Sequence, residues 1–399
     1  MAEEPRRYPF NEPDRLELDP AYAQIRADSG LARVQCPFGS EAVLATRYED
    51  VKLVLGDPRF SRARAVAGDQ PAHTPIGPGP DAMVSMDPPE HTRLRRVVAK
   101  AFTMRRIEGM RPRVQEIIDE LLDALEAQGP TVDLVAEFAR PQPALVIFEL
   151  FGVPFEDRKQ LQAWAEVTLT ATGDSYTLDD VFQALDSIRA YMGELLEQRR
   201  TAPRDDLLSV LVTAHDVEDR LSEKELLDLA VGVLITGYET TSDQISNFTY
   251  LLLTRPHLAA QLRADPGLVP QAVDELLRYV PLLRGTSFPR VATEDVRLSG
   301  GLVRAGEAVL PAMMSANRDG SVFDDPDTID FHRENNPHFA FGHGAHRCLG
   351  AQLAKLELQI ALESLLRRFP GLRLAVPADE VPWRGVTLQR APKELLVAW

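Results

Sequence analysis

Apolar and polar positions follow a helical spacing over most of the chain. From about residue 87 to 280, and again from 349 to 369, apolar side chains recur every three or four positions, which places them on one face of an α-helix. Shorter runs suit β-strands: residues 32–35, 42–46, 288–310 and 383–397. Long helices combined with short strands predict a mainly helical α+β protein.

A lone cysteine stands just before the last helical segment. Cys348 lies in the run FAFGHGAHRCLG of residues 339–350. The N–H groups and the positive dipole end of a helix N-terminus stabilise a thiolate. Gly342, Gly344 and Gly350 permit turns that a Cβ would block, and they let a flat ligand approach closely. Cys348 is therefore a candidate metal ligand, although a lone cysteine in most chains is an inert buried thiol.

A capping pattern predicts a helix that begins near residue 87. Asp87 and Glu90 enclose two prolines, and a capping acid, prolines in the first turn and a following glutamate all favour a helix start. His91 and Arg95 are four residues apart and share one face of this helix. That face suits either a solvated basic surface or two bound carboxylates.

A second capping box, Ser222 with Glu225, begins a helical pattern that continues without a proline to Arg255. At 1.5 Å per residue, one helix of this length would extend roughly 50 Å. Gly237 near its middle weakens a helix by about 1 kcal/mol relative to alanine. An acid and two threonines follow at residues 239–241, which indicates either a solvent-facing stripe or a chemical role.

Composition narrows the class of protein. The chain has 399 residues, of which 44% are hydrophobic, but no apolar run approaches the roughly 20 residues that span a bilayer. The net charge of −16 argues against nucleic acid as a partner. Two cysteines, Cys36 and Cys348, cannot form a disulfide framework or a four-thiolate metal site. No signal peptide is visible, so we expect a cytoplasmic protein that acts without a membrane.

The run FGHGAHRCLG of residues 341–350 resembles the haem-binding loop of the cytochromes P450. The resemblance implies haem b as cofactor, with Cys348 as the axial iron ligand that favours O–O cleavage. It also implies that Phe341 packs near the sulfur, that Gly350 belongs to the haem-binding loop, and that His346 binds a haem propionate.

The stretch from Asp87 to Arg95 resembles the helix of bacterial P450s that binds haem propionates. The resemblance implies that His91 and Arg95 hold the two propionates and that Arg290 matches a further propionate ligand. A basic surface for an acidic electron donor is expected from the neighbouring cations: Arg93, Arg96, Lys100 and Arg347.

The middle of the long helical pattern resembles the distal helix of the P450s, in which an acid–threonine pair follows a glycine. Gly237 would then leave room for dioxygen, while Glu239 and Thr240 deliver the protons that the reaction consumes. Thr236 and Tyr238 depart from the family pattern, since alanine is common where Thr236 stands.

Glu275 and Arg278 match the Glu-x-x-Arg motif of the same family, and Arg333 matches the arginine that joins them. The alternative is an ion pair on the surface, which would contribute little to the stability of the protein. The resemblance instead implies a buried ion network that positions the cysteine loop.

These matches occur in the expected order and cover nearly the whole chain. They imply one P450 domain over residues 1–399, helix-rich with small β-sheets, in which haem is buried between the long distal helix and the cysteine loop with its following helix. The expected parts are a β-containing region at about 1–60, a helical body at about 87–280, and β pieces, the cysteine loop and the final helix in 281–399.

The resemblance implies a monooxygenase that uses dioxygen and two electrons to hydroxylate or epoxidise a bulky, mostly apolar metabolite. It is strongest with actinobacterial enzymes that tailor macrolides and other polyketides in antibiotic biosynthesis. Electrons would come from NAD(P)H through a ferredoxin and its reductase, because no flavin- or cluster-binding segment is present. Two alternatives remain, namely oxidative coupling or ring closure on the same haem, and a non-catalytic haem sensor.

We expect the substrate pocket to be bounded by the Gly- and Pro-rich loop of residues 63–86 and by residues 167–190. Further candidates for its lining are Val233, Thr236, Leu283, Phe288, Val386 and Thr387.

Overall fold

The computed structural model describes residues 5–10, 15–28, 30–74, 77–169, 176–217, 220–286, 288–385 and 388–399. They fall into two compact units. The first unit comprises Met1–Thr92, Gln271–Leu349 and Leu388–Arg390, and the second comprises Arg93–Pro270, Gly350–Thr387 and Ala391–Trp399. The single domain expected from the sequence stays a prediction.

Helices dominate the described residues and strands are short, so the mainly helical α+β prediction is confirmed. The helices are α1 (Pro20–Ala27), α2 (Tyr48–Gly56), α3 (Glu90–Ala99), α4 (Met104–Gln128), α5 (Pro141–Phe151), α6 (Arg158–Leu169), α7 (Leu178–Thr201), α8 (Leu207–Asp216), α9 (Glu223–Thr236), α10 (Glu239–Thr254), α11 (Pro256–Ala264), α12 (Val269–Tyr279), α13 (Met313–Ala316) and α14 (Ala351–Arg368). The strands are β1 (Arg6–Arg7), β2 (Ala32–Gln35), β3 (Glu41–Ala45), β4 (Phe60–Ser61), β5 (Val132–Asp133), β6 (Arg290–Ala292), β7 (Val296–Leu298), β8 (Gly301–Val303), β9 (Ala308–Pro311), β10 (Arg373–Leu374) and β11 (Leu396–Ala398).

The first unit is built on a sheet of order β1-β2-β3-β9-β6-β4, beside a separate hairpin of β7 and β8. Val43 of β3 pairs with Val309 of β9, and Leu44 pairs with Leu310. Successive side chains of a strand point to opposite faces, so the two valines and the two leucines belong to different hydrophobic clusters. Both faces of these central strands are therefore buried, which makes the sheet a rigid support for the residues at its edges.

The second unit is mainly helical. Helix α14 packs against α4 and α10 through the apolar stripe that the sequence predicted, in which Leu353, Leu356 and Ile360 are buried. A small sheet of order β10-β11-β5 completes this unit. In α10 all residues from Thr241 to Leu252 are buried, polar side chains included. Buried polar groups need partners, so this helix carries structural or chemical roles beyond apolar packing.

Two local expectations needed correction. The helix expected from Ser222 to Arg255 is interrupted, because α9 ends at Thr236 and α10 begins at Glu239. The C-terminal strands expected in residues 383–397 reduce to β11 and isolated bridges such as Trp383 with Pro392. None of the helices among the described residues combines the length and apolar character that a bilayer span requires.

Candidate functional site

The loop before Cys348 is a tight, backbone-bonded turn in the first unit. The Cys348 N–H donates to the Phe341 carbonyl oxygen over 2.7 Å, and the Cys348 side chain is exposed. Gly342 and Gly344 have φ angles of 70° and 69°, a region that L-residues with a side chain rarely adopt. A Cβ on Gly344 would lie 2.4 Å from the Leu55 carbonyl oxygen. Two of the three predicted glycines are thus required by the turn itself.

The third glycine has a different environment. Gly350 is the N-cap residue of α14, with φ −82°, and a Cβ there would meet no protein atom within 4 Å. The expectation that the turn needs glycine at this position is therefore wrong, because neither the φ angle nor the surrounding protein atoms exclude a side chain. The open space beside Gly350 is still compatible with the second reason given for it, which is close approach of a flat ligand.

A buried ion network lies in the same unit. Arg278 donates to both carboxylate oxygens of Glu275 at 2.8 and 2.7 Å, and Arg333 Nε reaches Glu275 Oε2 at 3.1 Å. Asn336 adds a further donor to Glu275 at 3.2 Å. The remaining Arg278 donors bond to the carbonyl oxygens of Asn317, Pro326 and Thr328. A buried ion pair with its donors satisfied in this way fixes local geometry. Sequence reasoning missed Asn336, which no motif marks.

Asp87 turns away from the helix that it was expected to cap. Helix α3 begins at Glu90, and the Asp87 carboxylate instead accepts hydrogen bonds from the Ser61 hydroxyl and from the Arg62 N–H, the latter at 2.7 Å. The predicted capping box is therefore wrong, because the end of β4 supplies better-placed donors. This contact ties the residue after β4 to the start of α3.

Four basic side chains of the first unit lie close together, three of them buried and His346 half-buried. The rings of His91 and His346 are 4.1 Å apart between centroids, and Arg62 and Arg290 are both buried. Burial, and then the charges of Arg290, His91 and Arg62, lower the pKa of His346 to about 3. Burial and the neighbouring Arg62 lower the pKa of Arg290 to about 10. Two buried arginines beside two histidines suit an anionic ligand.

Arg62 is the member of this cluster that sequence reasoning missed. Its Nε has no hydrogen-bond partner among the described residues, whereas the Nε of the equally buried Arg278 is bonded to Glu275. Burial lowers the pKa of Arg62 to about 10, and its guanidinium lies 5.3 Å from the centroid of the Phe288 ring. The sequence alternates Arg62 and Arg64 with alanine, and nothing in that pattern says that only the first is buried.

In the second unit, Gly237 and Tyr238 separate α9 from α10. A Cβ on Gly237 would lie 2.7 Å from the Val233 carbonyl oxygen and 2.8 Å from Ile147 Cδ1, so packing excludes a larger residue. Just before the break, the Thr236 hydroxyl donates to the Gly232 carbonyl oxygen at 2.8 Å. A hydroxyl that bonds backward in this way competes with the helix ladder and favours a bend.

Glu239 and Thr240 form the first turn of α10. The Thr240 side chain is exposed, while Glu239 is half-buried and lies 3.2 Å from the Arg384 guanidinium. The same guanidinium contacts Asp243 at 3.1 Å. Burial raises the pKa of Asp243 to about 7. Sequence reasoning identified Glu239 and Thr240 as an acid–threonine pair in the middle of one long helix, and it missed Arg384 and Asp243.

Comparison with known proteins identifies the family. The sequence model described as Cytochrome P450 matches residues 37–396. The chain belongs to the cytochrome P450 family. This P450 is therefore a monooxygenase that uses haem and dioxygen, with electrons from NAD(P)H delivered by partner proteins.

Its relatives match it from end to end. It is 52% identical to the nocardicin C N-oxygenase of Nocardia uniformis subsp. tsuyamanensis, over 99% of this chain and 98% of the relative. It is 50% identical to the mycinamicin IV hydroxylase/epoxidase of Micromonospora griseorubida, over 99% of each chain. Among solved structures, the LnmA P450 hydroxylase of the leinamycin pathway of Streptomyces atroolivaceus matches with a TM-score of 0.93 and 50% identity, over 99% of this chain and 100% of that chain.

The residues present fit a haem. Among the described residues, the carboxylate that acts on the buried cations of the first unit is that of Asp87, and its oxygens already accept bonds from Ser61 and Arg62. The cluster therefore retains buried positive charge, which two propionates would neutralise, and an Arg62 Nε that no described residue accepts a bond from. Within the same unit, the soft sulfur donor of Cys348 is exposed at the end of its turn.

The other predicted residues have the following placement. Arg95 is half-buried on α3, one turn beyond His91. Of the basic surface, Arg96, Lys100 and Arg347 are exposed, whereas Arg93 is engaged by Glu225. Among the expected pocket residues, Val233 and Leu283 are half-buried, and Thr236 and Phe288 are exposed. Val386 and Thr387 lie outside the described residues.

Proposed function

We propose that this P450 hydroxylates or epoxidises a bulky, mostly apolar macrolide or other polyketide in the biosynthesis of an antibiotic-type product. The observation that carries the proposal is the end-to-end 50% identity with the mycinamicin IV hydroxylase/epoxidase. The apolar candidates Val233, Leu283 and Phe288 support an apolar guest. A non-catalytic sensor is set aside, because the chain belongs to a family of monooxygenases.

A second candidate is oxidation at nitrogen. It rests on the 52% identity with the nocardicin C N-oxygenase, so a nitrogen-bearing natural product is an alternative guest. Coupling or ring closure on the same haem stays a further hypothesis. Hydroxylation or epoxidation, oxidation at nitrogen, and coupling all use the same haem and all need protons for the cleavage of dioxygen. The identity of the substrate therefore distinguishes them.

We assign the site residues as follows. Bound haem supplies the activation of dioxygen, so that one oxygen atom enters the substrate and the other leaves as water. Cys348 holds the iron, with Phe341 and Gly350 in its loop. Basic side chains hold the propionates: Arg62, His91, Arg95, Arg290 and His346. The network of Glu275, Arg278 and Arg333 fixes the cysteine loop. At the start of α10, Thr240 and Glu239 bring protons to the reacting oxygen.

Electrons are proposed to come from a ferredoxin and its reductase. The exposed Arg96, Lys100 and Arg347 are the proposed contacts for an acidic donor, which attraction between opposite charges would steer. The expectation that the enzyme acts in the cytoplasm stays a prediction.

A spectral titration tests the substrate class. Macrolides, other polyketides and nitrogen-bearing peptides are added to the purified haem protein, and the haem absorbance is followed for the spin-state change that substrate binding causes. A saturable change with macrolides, followed by a hydroxylated or epoxidised product in the presence of ferredoxin, reductase and NADPH, is the expected result. A response to amines only, with an N-oxygenated product, would replace the macrolide by the second candidate.

A further inference from the structure

The start of α10 carries two carboxyl groups on one face. Glu239 and Asp243 are four residues apart, so their side chains are neighbours along the helix. Both reach the same partner from the C-terminal segment. Arg384 Nη1 lies 3.2 Å from Glu239 Oε1 and 3.3 Å from Asp243 Oδ2, and Arg384 Nη2 lies 3.1 Å from Asp243 Oδ1. One guanidinium thus serves two carboxyls, and its Nη1 is shared between them.

Little water reaches this group. The side chain of Asp243 is 1% exposed, and those of Glu239 and Arg384 are each 14% exposed. A buried carboxylate needs a compensating charge, and a single guanidinium cannot fully compensate two. The arrangement therefore favours the uptake of one proton by the carboxyl that is buried more deeply, which is Asp243.

The charged groups around Asp243 support this assignment. Its pKa is raised to about 7, mainly by burial; Arg384 opposes the rise, Glu239 adds to it and Arg140 opposes it. Arg140 itself is paired with Glu166 at 3.4 Å. The elements that pack against α10 carry further charged groups that are not among the causes of this pKa shift: Glu137, Glu149, Glu223, Lys224, Glu225, Asp228, His257, Arg263, Lys355, Glu357, Glu363, Arg367, Arg368 and Arg373.

Protonation of Asp243 would change how Arg384 is held. The ionised carboxylate binds the guanidinium with both oxygens, and Glu239 contacts the Nη1 that the two carboxyls share. A protonated Asp243 loses its charge and one acceptor oxygen, so its attraction for Arg384 falls. Arg384 consequently binds Glu239 less tightly when Asp243 is ionised than when Asp243 is protonated.

We propose that Asp243 and Arg384 are positioning residues for Glu239: the two carboxyls compete for one guanidinium, and the protonation state of Asp243 decides how firmly Glu239 is held. The proposal rests on the proposed role of Glu239 and Thr240 in proton delivery. Each turnover takes up two protons, which leave in water, so a carboxyl that moves between solvent and the reacting oxygen must be released from its ion pair. Ionised Asp243 favours that release, because it competes with Glu239 for the Arg384 guanidinium.

The test compares wild type with Asp243→Asn across neutral pH. The fraction of NADPH electrons recovered in product rather than in hydrogen peroxide is measured from about pH 6 to pH 8, on both sides of the expected titration. We expect the wild-type fraction to rise several-fold with pH. In Asp243→Asn, which cannot ionise, the fraction should stay low and flat, roughly tenfold below wild type at the upper end, since general acid–base groups contribute about 10²- to 10⁴-fold and Asp243 acts only through Glu239.

Asp228→Asn is the matched control. Asp228 lies on α9 and pairs with Arg189 at 2.6 Å and with Lys224 at 2.9 Å, so the variant removes an ion-paired carboxylate that does not contact Glu239. It should keep the wild-type pH profile. Arg384→Lys keeps the charge but loses the fork that bridges two carboxyls, and it should flatten the profile in part. A wild-type profile in both Asp243→Asn and Arg384→Lys would overturn the proposal.

A readout independent of turnover is the infrared absorption of protonated carboxyl groups in the holoenzyme. A band that titrates near neutral pH in wild type, persists in Asp228→Asn and is lost in Asp243→Asn is expected. If Asp243→Asn does not fold, the same titration in Arg384→Lys should shift to higher pH, because a cation beside Asp243 is less well placed. No titrating band near neutral pH in wild type would contradict the proposal.

Two further variants separate this inference from the function on which it rests. Glu239→Gln and Thr240→Ala should each divert electrons to peroxide. If both retain coupled product formation, the proposed proton path itself is wrong. If both divert electrons to peroxide while Asp243→Asn keeps the wild-type pH profile of coupling, the roles proposed for Asp243 and Arg384 are wrong and the proton path is retained.

Discussion

The Asn317 side chain accepts a hydrogen bond from the backbone N–H of Phe339 over 2.7 Å, nine residues before Cys348. The carbonyl oxygen of the same asparagine accepts a bond from Arg278 at 2.9 Å, and Arg278 is bound to Glu275. A continuous chain of bonds therefore runs from the buried ion network to the start of the cysteine loop. Through this chain of bonds, the ion network can fix the position of the cysteine loop, as its proposed scaffold role requires.

We predict that Asn317→Ala loosens the cysteine loop. The buried Phe339 N–H would lose its acceptor, which costs about 1–3 kcal/mol of the free energy of unfolding. The measurements are chemical unfolding and the rate at which haem transfers to an apoprotein acceptor. Asn317→Asp retains an acceptor oxygen and should fall between wild type and Asn317→Ala. Equal haem transfer rates in all three proteins would show that the bond does not hold the loop.

The ion network itself should be far more sensitive than a surface pair. Glu275→Gln leaves the buried Arg278 and the half-buried Arg333 without their carboxylate, and breaking a buried pair in this way costs about 3–5 kcal/mol. Glu294→Gln is the control, because Glu294 pairs with Arg59 at 3.5 Å on the surface and is 63% exposed, where a pair contributes about 0–1 kcal/mol. Glu275→Gln should lower the thermal unfolding temperature clearly more than Glu294→Gln does. A similar decrease in both variants would show that the ion network does not stabilise the fold.

The two cysteines provide a matched pair for the iron ligand. Cys36 is buried among apolar residues, and burial raises the pKa of its thiol to about 12, so it stays protonated and inert. We predict that Cys36→Ser keeps the carbon monoxide difference spectrum of a thiolate-bound haem, whereas Cys348→Ser loses it. Loss of the spectrum in Cys36→Ser with retention in Cys348→Ser would reverse the assignment.

Local patterns predicted some parts of this site well. The capping box of Ser222 and Glu225 is present, and so is the contact of Glu275 with Arg278, because residues three apart on a helix are neighbours whatever the tertiary structure. The capping box at Asp87 had the same local pattern and was wrong, since Ser61 and Arg62, distant in sequence, bind its carboxylate instead.

The residues that the sequence did not reveal depend on distant contacts. Arg62 differs from Arg64 only in burial, and burial is set by the sheet around β4. Asp243 acquires its raised pKa from the interior of the second unit, and Arg384 meets it from a position 141 residues away. Neither property leaves a periodic or motif signal in the sequence.

Arg62 offers a test of the propionate cluster. Its Nε has no partner in the part of the chain that the structure describes, and a charge-assisted bond to a propionate contributes about 1.5–3 kcal/mol, which is roughly tenfold or more in haem affinity. We predict that Arg62→Ala releases haem faster than wild type by about that factor, measured by haem transfer to an apoprotein acceptor. Arg64→Ala, on an exposed residue of the same turn, should release haem at the wild-type rate, and faster release in Arg64→Ala alone would refute the assignment.

The break between α9 and α10 yields a pair of glycine substitutions with opposite expected effects. A Cβ on Gly237 would lie 2.7 Å from the Val233 carbonyl oxygen and 2.8 Å from Ile147 Cδ1, and overpacking of this kind costs about 1–3 kcal/mol. A Cβ on Gly232, in the interior of α9, would meet nothing within 4 Å. Alanine there should stabilise the helix by about 1 kcal/mol. Chemical unfolding should therefore show Gly237→Ala to be less stable than wild type and Gly232→Ala to be more stable. Equal stability of the two variants would mean that the atoms around Gly237 can move apart without a loss of stability. The glycine at the break would then be required by a bound ligand and not by packing within the protein.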